Sequence, residues 1–112
     1  MGSDKVESSH DVLRRAGDAS VLILTSLADG PKHGYALIQD IKGFSGLSLG
    51  PGTLYGALDR LERLGLIEEL PSDERRHPYQ VTASGIAALV SHLDALERVS
   101  MTGRNRLGLR PV

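Results

Sequence analysis

The sequence predicts a mainly helical fold with a small two-stranded antiparallel hairpin, and three observations carry this prediction. Apolar residues recur at spacings of three and four along several segments, which is the period of an amphipathic helix. One of these segments, "GPGTLYGALDRLERLG", opens on Gly-Pro-Gly, a composition that favours an abrupt helix start. Two short apolar runs flank the charged stretch "PSDERRHP", which is typical of a hairpin with a polar tip.

The first helix is predicted from capping-box character at Ser8–Asp11 and from one apolar face. Gly17 is a point at which this helix can break. Residues 1–9 are expected to form a flexible N-terminus, and residues 10–82 a single domain. The face of the first helix consists of Leu13, Ala16, Ser20, Ile23, Leu24 and Leu27.

A turn at 29–31 leads to a second, shorter helix, predicted to run from His33 to Ile41 and to be closed by Gly43. The third helix begins with Gly50 as N-cap and Pro51 as its first residue, and Gly65 suits the left-handed cap that ends it. Its buried stripe is predicted to be Leu54, Leu58, Leu61 and Gly65, with Ala57 and Leu64 beside them. The opposite, exposed face carries Gly52, Gly56, Asp59, Arg60 and Arg63.

The hairpin is predicted from a first strand at Leu66–Leu70 and a second strand that contains Tyr79 and Val81. Thr82 then caps a last helix over residues 83–101. An apolar seam on that helix at alternating spacings of three and four comprises Ile86, Leu89, Leu93 and Leu96. Residues 102–112 carry Arg104, Arg106 and Arg110 without an acidic residue, and are expected to be a flexible basic tail.

This order of elements is that of a winged helix-turn-helix domain followed by one long helix. In helix-turn-helix proteins the second helix of the motif enters the DNA major groove with its N-terminal end first. A Gly-Pro-Gly start allows a helix to lie close to a duplex, and Gly52 and Gly56 add no side chain that would hold it away. Two exposed helical glycines otherwise cost roughly 1 kcal/mol each relative to Ala.

The composition of the chain restricts the classes of protein to which it can belong. The chain has 112 residues, 40% of them apolar, which suffices for one small core. A net charge of −1 argues against a polybasic coat, although a local patch can still bind phosphate. The lack of cysteine removes thiolate metal sites and disulfides and fits a cytoplasmic protein. No apolar run approaches the roughly 20 residues of a membrane span, so we expect no membrane partner.

Enzymatic activity is not predicted. The spacing of His10, His33, His77 and His92 matches no metal-binding motif. The glycines at the start of the third helix imitate a dinucleotide-binding fingerprint, but no strand precedes them, and the lysine of a P-loop is missing. We therefore expect no catalytic residues, no metal and no cofactor.

Three segments resemble the PadR-type transcriptional regulators, and the match covers about Val21 to Leu89 with its segments in order. They are "LILTSLADGPKHGYALIQDI", "LSLGPGTLYGALDRLERLGLIEE" and "YQVTASGIAAL". The resemblance implies a winged helix-turn-helix with a C-terminal dimerisation helix, and a chain of this length is similar to the small subfamily. It further implies a homodimeric repressor that binds a double-stranded DNA operator and is released by a small molecule. Gly56 departs from the usual Pro, and the wing is short, with His77 and Pro78 where basic or aromatic residues commonly stand.

Carried over residue by residue, the resemblance places DNA contacts at the start of the recognition helix, on the preceding helix and on the wing. These residues are Tyr35, Ser48, Pro51, Gly52, Thr53, Tyr55, Arg75, Arg76 and His77. The exposed face adds Gly56, Arg60 and Arg63 to this set.

Each of these assignments has a structural alternative. Tyr35 and Tyr55 are equally well read as tyrosines that tie helices together, and Thr53 as a first-turn cap. Arg60 and Arg63 are otherwise a solvated face paired with neighbouring acids. The wing is alternatively a solvated turn, and the whole domain a winged-helix module that binds protein instead of DNA.

A two-fold dimer is predicted because one small domain cannot cover the seam of the last helix. The dimerisation residues are expected to be Leu13, Ile86, Leu89, Leu93 and Leu96. The resemblance also implies a small aromatic effector between the dimerisation helices, often held by a Trp. This chain has no Trp, and His92 and Asp94 near the seam indicate a different ligand or none, so no binding residues are assigned.

Overall fold

The computed structural model of the chain describes residues 18–72, 75 and 77–109. These residues form α1 (Ala19–Leu27), α2 (Gly34–Ser45), α3 (Pro51–Arg63), β1 (Ile67–Glu69), β2 (Tyr79–Val81) and α4 (Ala83–Arg106). The order confirms a mainly helical fold with a two-stranded antiparallel hairpin.

Helix α1 begins at Ala19 because Asp18 is its N-cap, with the Asp18 carboxylate accepting a hydrogen bond of 2.6 Å from the Ser20 amide. Asp18 has non-helical backbone angles, so α1 begins just beyond Gly17, the residue at which the sequence allowed the long helix to break. Leu13 and the capping box at Ser8 lie outside the described residues. Of the predicted apolar face, Ile23, Leu24 and Leu27 are buried and Ser20 is half-buried, whereas the buried Leu22 and Ser26 were not predicted.

Helix α2 extends beyond its predicted end at Gly43 and stops at Ser45. Its C-cap is Gly46, which has a left-handed φ of 77° that is costly for other residues, and its amide donates to the Lys42 carbonyl at 2.9 Å. An interior Gly costs about 1 kcal/mol relative to Ala. Burial of Leu37 and Ile41 on this helix offsets that cost, so Gly43 does not end it.

Helix α3 starts as predicted, with Gly50 as N-cap and Pro51 first, and the predicted left-handed glycine is Gly65, with a φ of 75°. Leu54, Ala57, Leu58 and Leu61 form the buried stripe. The prediction that Leu64 extends this stripe is wrong, because Leu64 is the C-cap and its side chain is 64% exposed. Gly65 is likewise exposed.

The hairpin is shorter than predicted, since the first strand spans three residues instead of Leu66–Leu70. Its strands pair in antiparallel register from Ile67↔Val81 to Glu69↔Tyr79. An isolated bridge joins Tyr79 to Lys32, with N···O distances of 3.0 and 3.1 Å. The wing is therefore attached by its second strand to the turn between α1 and α2.

The Lys32 side chain strengthens this attachment. Its ammonium group donates to the Ser26 carbonyl and to the Asp29 carboxylate, the latter at 2.5 Å. The buried Ser26 hydroxyl in turn donates to the Asp40 carboxylate at 2.6 Å, which links α1 to α2. These bonds hold the end of α1, the following turn and α2 in one polar network beside the wing.

Helix α4 begins after Thr82, as predicted, and the Thr82 hydroxyl accepts a hydrogen bond of 3.1 Å from the Gly85 amide. The predicted end at Met101 is wrong, because the helix continues through the first part of the predicted flexible tail to Arg106. Gly103 is tolerated inside it, and Arg104 and Arg106 in the last turn interact favourably with the negative end of the helix dipole.

One hydrophobic core joins α1, α2, α3, β1 and the start of α4. Its residues are Leu22, Ile23, Leu24, Leu27, Leu37, Ile41, Leu54, Ala57, Leu58, Leu61, Ile67 and Leu89. This core presents the start of α3, the start of α2 and the wing on one side of the molecule.

Candidate nucleic-acid interface

The start of α3 combines a rigid first residue with a cap that has no side chain. Gly50 is extended, with φ −75° and ψ 159°, and no side chain accepts from the first-turn amides. The amides at the start of a helix carry partial positive charge and are a site at which phosphate binds well. This end of α3 can therefore approach an anionic backbone without a capping side chain in between.

The outward face of α3 lacks a side chain at two positions of its first two turns, Gly52 and Gly56. A Cβ placed on Gly52 or Gly56 would meet no atom within 4 Å, so neither glycine is required by packing within the chain. Thr53 is exposed beside them, and its hydroxyl is not the N-cap, because the cap is Gly50. Ser48 lies exposed in the extended segment just before the helix.

Arg60 and Arg63 lie further along the same face and take part in weak surface contacts. The Arg60 guanidinium donates to the Ser20 hydroxyl at 2.9 Å, and Arg63 pairs with Asp59 at 3.2 Å. The side chains of that pair are 71% and 69% exposed, and exposed pairs of this kind contribute about 0–1 kcal/mol. Both guanidinium groups can thus leave their present partners, a hydroxyl and a carboxylate, for a different anion at little cost.

The two tyrosines adopt different roles. Tyr35 on α2 is 63% exposed, so it is not a buried tyrosine. Tyr55 on α3 is half exposed, and a Cβ on Gly34 would overlap its hydroxyl. Tyr55 therefore does tie α3 to α2, and the glycine at the start of α2 is what makes room for it.

The wing contributes its described residues unequally. Arg75 is exposed, whereas Arg76 lies outside the described residues. The His77 ring is half buried, and its Nδ1 lies 3.3 Å from the Leu70 carbonyl on the other arm of the hairpin. His77 thus holds the two arms of the wing together.

A concavity of about 450 Å³ lies between the starts of α2 and α3 and the wing. It brings together five residues that the sequence placed at a DNA interface: Tyr35, Pro51, Tyr55, Arg75 and His77. Sequence reasoning missed Ile38, Glu69 and Tyr79 in its wall. Burial, followed by the charge of Glu69, raises the pKa of Tyr79 above its usual range, so its hydroxyl stays protonated to a higher pH than that of an ordinary tyrosine.

The predicted dimerisation residues on α4 separate into two groups. Leu89 is 7% exposed and belongs to the core of its own chain, so its predicted place in an open seam is wrong. The other three, Ile86, Leu93 and Leu96, are between 39% and 51% exposed. Three further exposed apolar residues of this helix were not predicted from the sequence, namely Val90, Val99 and Met101.

Residues 18–72, 75 and 77–109 contain no group of three or more His, Asp or Glu side chains placed to hold a metal ion. Over the same residues, no helix has the length and apolar character needed to cross a membrane.

Comparison with known proteins places these features in context. Residues 23–91 match the family described as "Transcriptional regulator PadR-like family". An uncharacterized 37.1 kDa protein in transposon TN4556 of Streptomyces fradiae is 44% identical over 86 residues, which are 77% of this chain and 25% of that protein. The chain therefore spans about a quarter of the length of that relative.

Two further matches are regulators by name. Transcriptional regulator Rv3488 of Mycobacterium tuberculosis is 41% identical over 81 residues, which are 70% of this chain and 75% of that protein. The structure of a transcriptional regulator from Clostridium thermocellum superposes with a TM-score of 0.73 at 29% identity, covering 89% of this chain and 97% of that one.

Proposed function

Because the chain belongs to the PadR-like family of transcriptional regulators, we propose that it is a homodimeric, sequence-specific DNA-binding repressor that a small molecule releases from its operator. The family, the Mycobacterium tuberculosis relative and the Clostridium thermocellum structure are all named as transcriptional regulators. The observation that carries the proposal of DNA binding is the open outward face at the start of α3.

In this proposal α3 enters the major groove with its N-terminal end first. The first-turn amides face phosphate, and Thr53 and the exposed part of Tyr55 lie nearest the bases. The absence of side chains at Gly52 and Gly56 allows the helix backbone to approach the duplex closely. Arg60 and Arg63 move from their weak surface partners to the phosphates that flank the groove.

The exposed apolar face of α4 supports a dimer. Leu93 and its exposed neighbours are apolar enough to favour a contact with the same helix of a second copy. A two-fold dimer presents two copies of α3, so its half-sites should lie about one helical turn apart, roughly 10 bp, or a multiple of that.

The decisive experiment replaces Gly56 with Leu. On a free helix surface this change improves helix propensity, so the variant should melt at or above the temperature of the unchanged protein. In a major groove the new side chain should hold the helix away, and affinity for an operator selected from random-sequence duplexes should fall. Mobility-shift titration at several salt concentrations measures that affinity, and binding should weaken steeply as salt rises.

The matched control is Gly43→Leu on α2, because a Cβ there also meets no atom within 4 Å. Gly43 is eight residues from Tyr35, or about 12 Å along the helix, and its replacement should leave affinity unchanged. Normal operator binding by Gly56→Leu, or a footprint without two-fold symmetry, would contradict the proposal that α3 of a two-fold dimer enters the major groove. The remaining function would then be a winged-helix module that binds another protein.

A further inference from the structure

All three tyrosines of the chain line one concavity, although they come from three separate elements. Tyr35 lies on α2, Tyr55 on α3 and Tyr79 on β2. The chain has one Phe and no Trp, so three of its four aromatic rings gather here. Such a concentration of rings is not needed for the hydrophobic core, because Tyr35 and Tyr55 are more than half exposed.

The size of the concavity suits a small organic molecule. Its volume of about 450 Å³ lies within the range of roughly 300–1,000 Å³ that is typical of ligand sites. Ile38 and Pro51 supply apolar wall between the rings, and the tyrosine hydroxyls supply hydrogen-bond donors. A flat molecule of two or three fused rings would bury its faces against such a wall.

The charged groups of the wall decide the sign of the ligand. Arg75 provides a guanidinium and His77 an imidazole, whereas Glu69 provides the one carboxylate among the lining residues of this concavity in the described chain. Arg75 and Glu69 are both exposed, so each can turn toward or away from an occupant. The single guanidinium and the single carboxylate balance in charge, so an anion is favoured by the hydrogen-bond donors of the wall, which are the Arg75 guanidinium and the three tyrosine hydroxyls.

We propose that this concavity is an effector site for a planar, fused-ring aromatic anion, and that its occupant excludes DNA directly. This inference rests on the proposed function, because the exclusion follows only if Tyr35, Tyr55 and Arg75 face the duplex. Ligand and DNA then compete for the same side chains. Release from the operator needs no change at the dimer helices, where the chain has no Trp to hold an aromatic ligand.

The test uses two fluorescent probes of similar shape and opposite charge, anthracene-9-carboxylate and 9-aminoacridine. Fluorescence titration of the full chain should give saturable binding of the anion, with one probe per chain, and weaker binding of the cation. Tyr35→Ala and Arg75→Gln should each weaken binding of the anion about tenfold, a loss equal to that of one good contact. Glu69→Gln should instead tighten binding of the anion and weaken that of the cation.

Two matched controls guard against general effects. Phe44→Ala removes another exposed aromatic ring from α2, and Arg104→Gln removes an exposed arginine from α4, and neither residue lines the concavity. Both variants should bind the anion as the unchanged protein does. If Tyr35→Ala has no effect, or if the controls weaken binding equally, the proposed site is wrong. One probe per two chains with a loss of binding in Leu93→Ala would place the probe between the dimer helices and would also overturn it.

Competition separates this inference from the proposed function. The selected operator duplex should displace the bound anion, and the anion should shift the operator titration to higher protein concentrations. If no duplex binds but the probe follows the variant pattern above, the proposed function fails and the ligand site remains. If the duplex binds but the anion does not bind, or binds without competing, the effector site fails and the proposed function remains.

Discussion

The winged-helix half of the molecule and the long helix α4 bury their apolar residues to different extents. In the first half, the side chains of Ile23, Leu37 and Leu54 are fully buried by their own chain. On α4, Leu89 is buried, but Leu93 is 44% and Val99 is 70% exposed. The winged-helix half thus covers its apolar side chains with its own chain, whereas α4 leaves part of its apolar face exposed. The first buries its core within one chain, and the second is expected to gain stability from a partner.

The largest expected effect is the loss of stability caused by a substitution in the buried core of the winged-helix half. Leu58→Ala should lower the free energy of unfolding by about 2–5 kcal/mol, because Leu58 is 1% exposed and its loss leaves a cavity in the core. Leu64→Ala, six residues along the same segment and 64% exposed, should change it by less than about 0.5 kcal/mol. Urea denaturation of both variants measures the difference. Equal losses would show that the two positions are not distinguished by burial.

A substitution on the exposed apolar face of α4 should change formation of the dimer more than folding of the chain. Leu93→Asp places a carboxylate where the dimer contact is proposed, and burying it without a partner is costly, so the variant should be monomeric or, if α4 needs its partner, unfolded. Ser91→Asp adds the same charge about 200° around the helix and should leave the dimer intact. Light scattering at micromolar concentration reads the mass. A single-chain mass for the unchanged protein, or a dimeric Leu93→Asp, contradicts the dimer.

Two glycines on α4 differ in how closely the rest of the chain approaches them. A Cβ on Gly85 would overlap the Leu66 carbonyl and approach Val81, so Gly85→Ala should destabilise the fold by about 1–3 kcal/mol. A Cβ on Gly103 meets nothing within 4 Å of its own chain, so Gly103→Ala should stabilise α4 by up to about 1 kcal/mol. Thermal melts of the two variants should shift in opposite directions. A destabilised Gly103→Ala would mean that a partner packs closely on this residue.

The smallest expected effect is a pH dependence at the turn that holds the wing. Hydrogen bonding and charge from Lys32 lower the pKa of Asp29 below its usual range. A depressed carboxyl pKa stabilises the fold above the unfolded-state pKa, and this contribution is lost as the pH falls through the lowered value. Asp29→Asn should therefore melt slightly lower than the unchanged protein at pH 7, and the difference should vanish in acid. The exposed Asp94→Asn serves as control, and a gap that persists in acid would exclude this ion pair as the cause.

Much of the secondary structure follows from local patterns in the sequence. The N-cap at Gly50, the left-handed Gly65 and the cap at Thr82 were predicted because each depends on a few neighbouring residues. The end of α4 was misplaced because the arginine-rich stretch after Met101 was read as a flexible tail. The end of α2 was misplaced because a glycine inside a helix is read locally as a stop. Packing and the later cap overrode that local preference.

The candidate site was predicted in its parts but not in its arrangement. Tyr35, Tyr55 and Arg75 were identified one by one from a family resemblance, and no periodicity shows that they share a cavity with Tyr79. Their meeting depends on the strand register and on the bridge between Lys32 and Tyr79, which joins residues distant in the chain. Whether these residues contact DNA stays a prediction.

Local sequence patterns were enough to predict which segments are helices and strands, where α3 starts and most of the apolar face of each helix. These properties arise from spacing and capping, which act over a few residues. The burial of Leu89, the exposure of Leu93 and the contact of Tyr55 with Gly34 of α2 follow instead from how the elements pack together. The reason is physical: an apolar face is encoded within a helix, but what covers that face depends on the elements that pack against it.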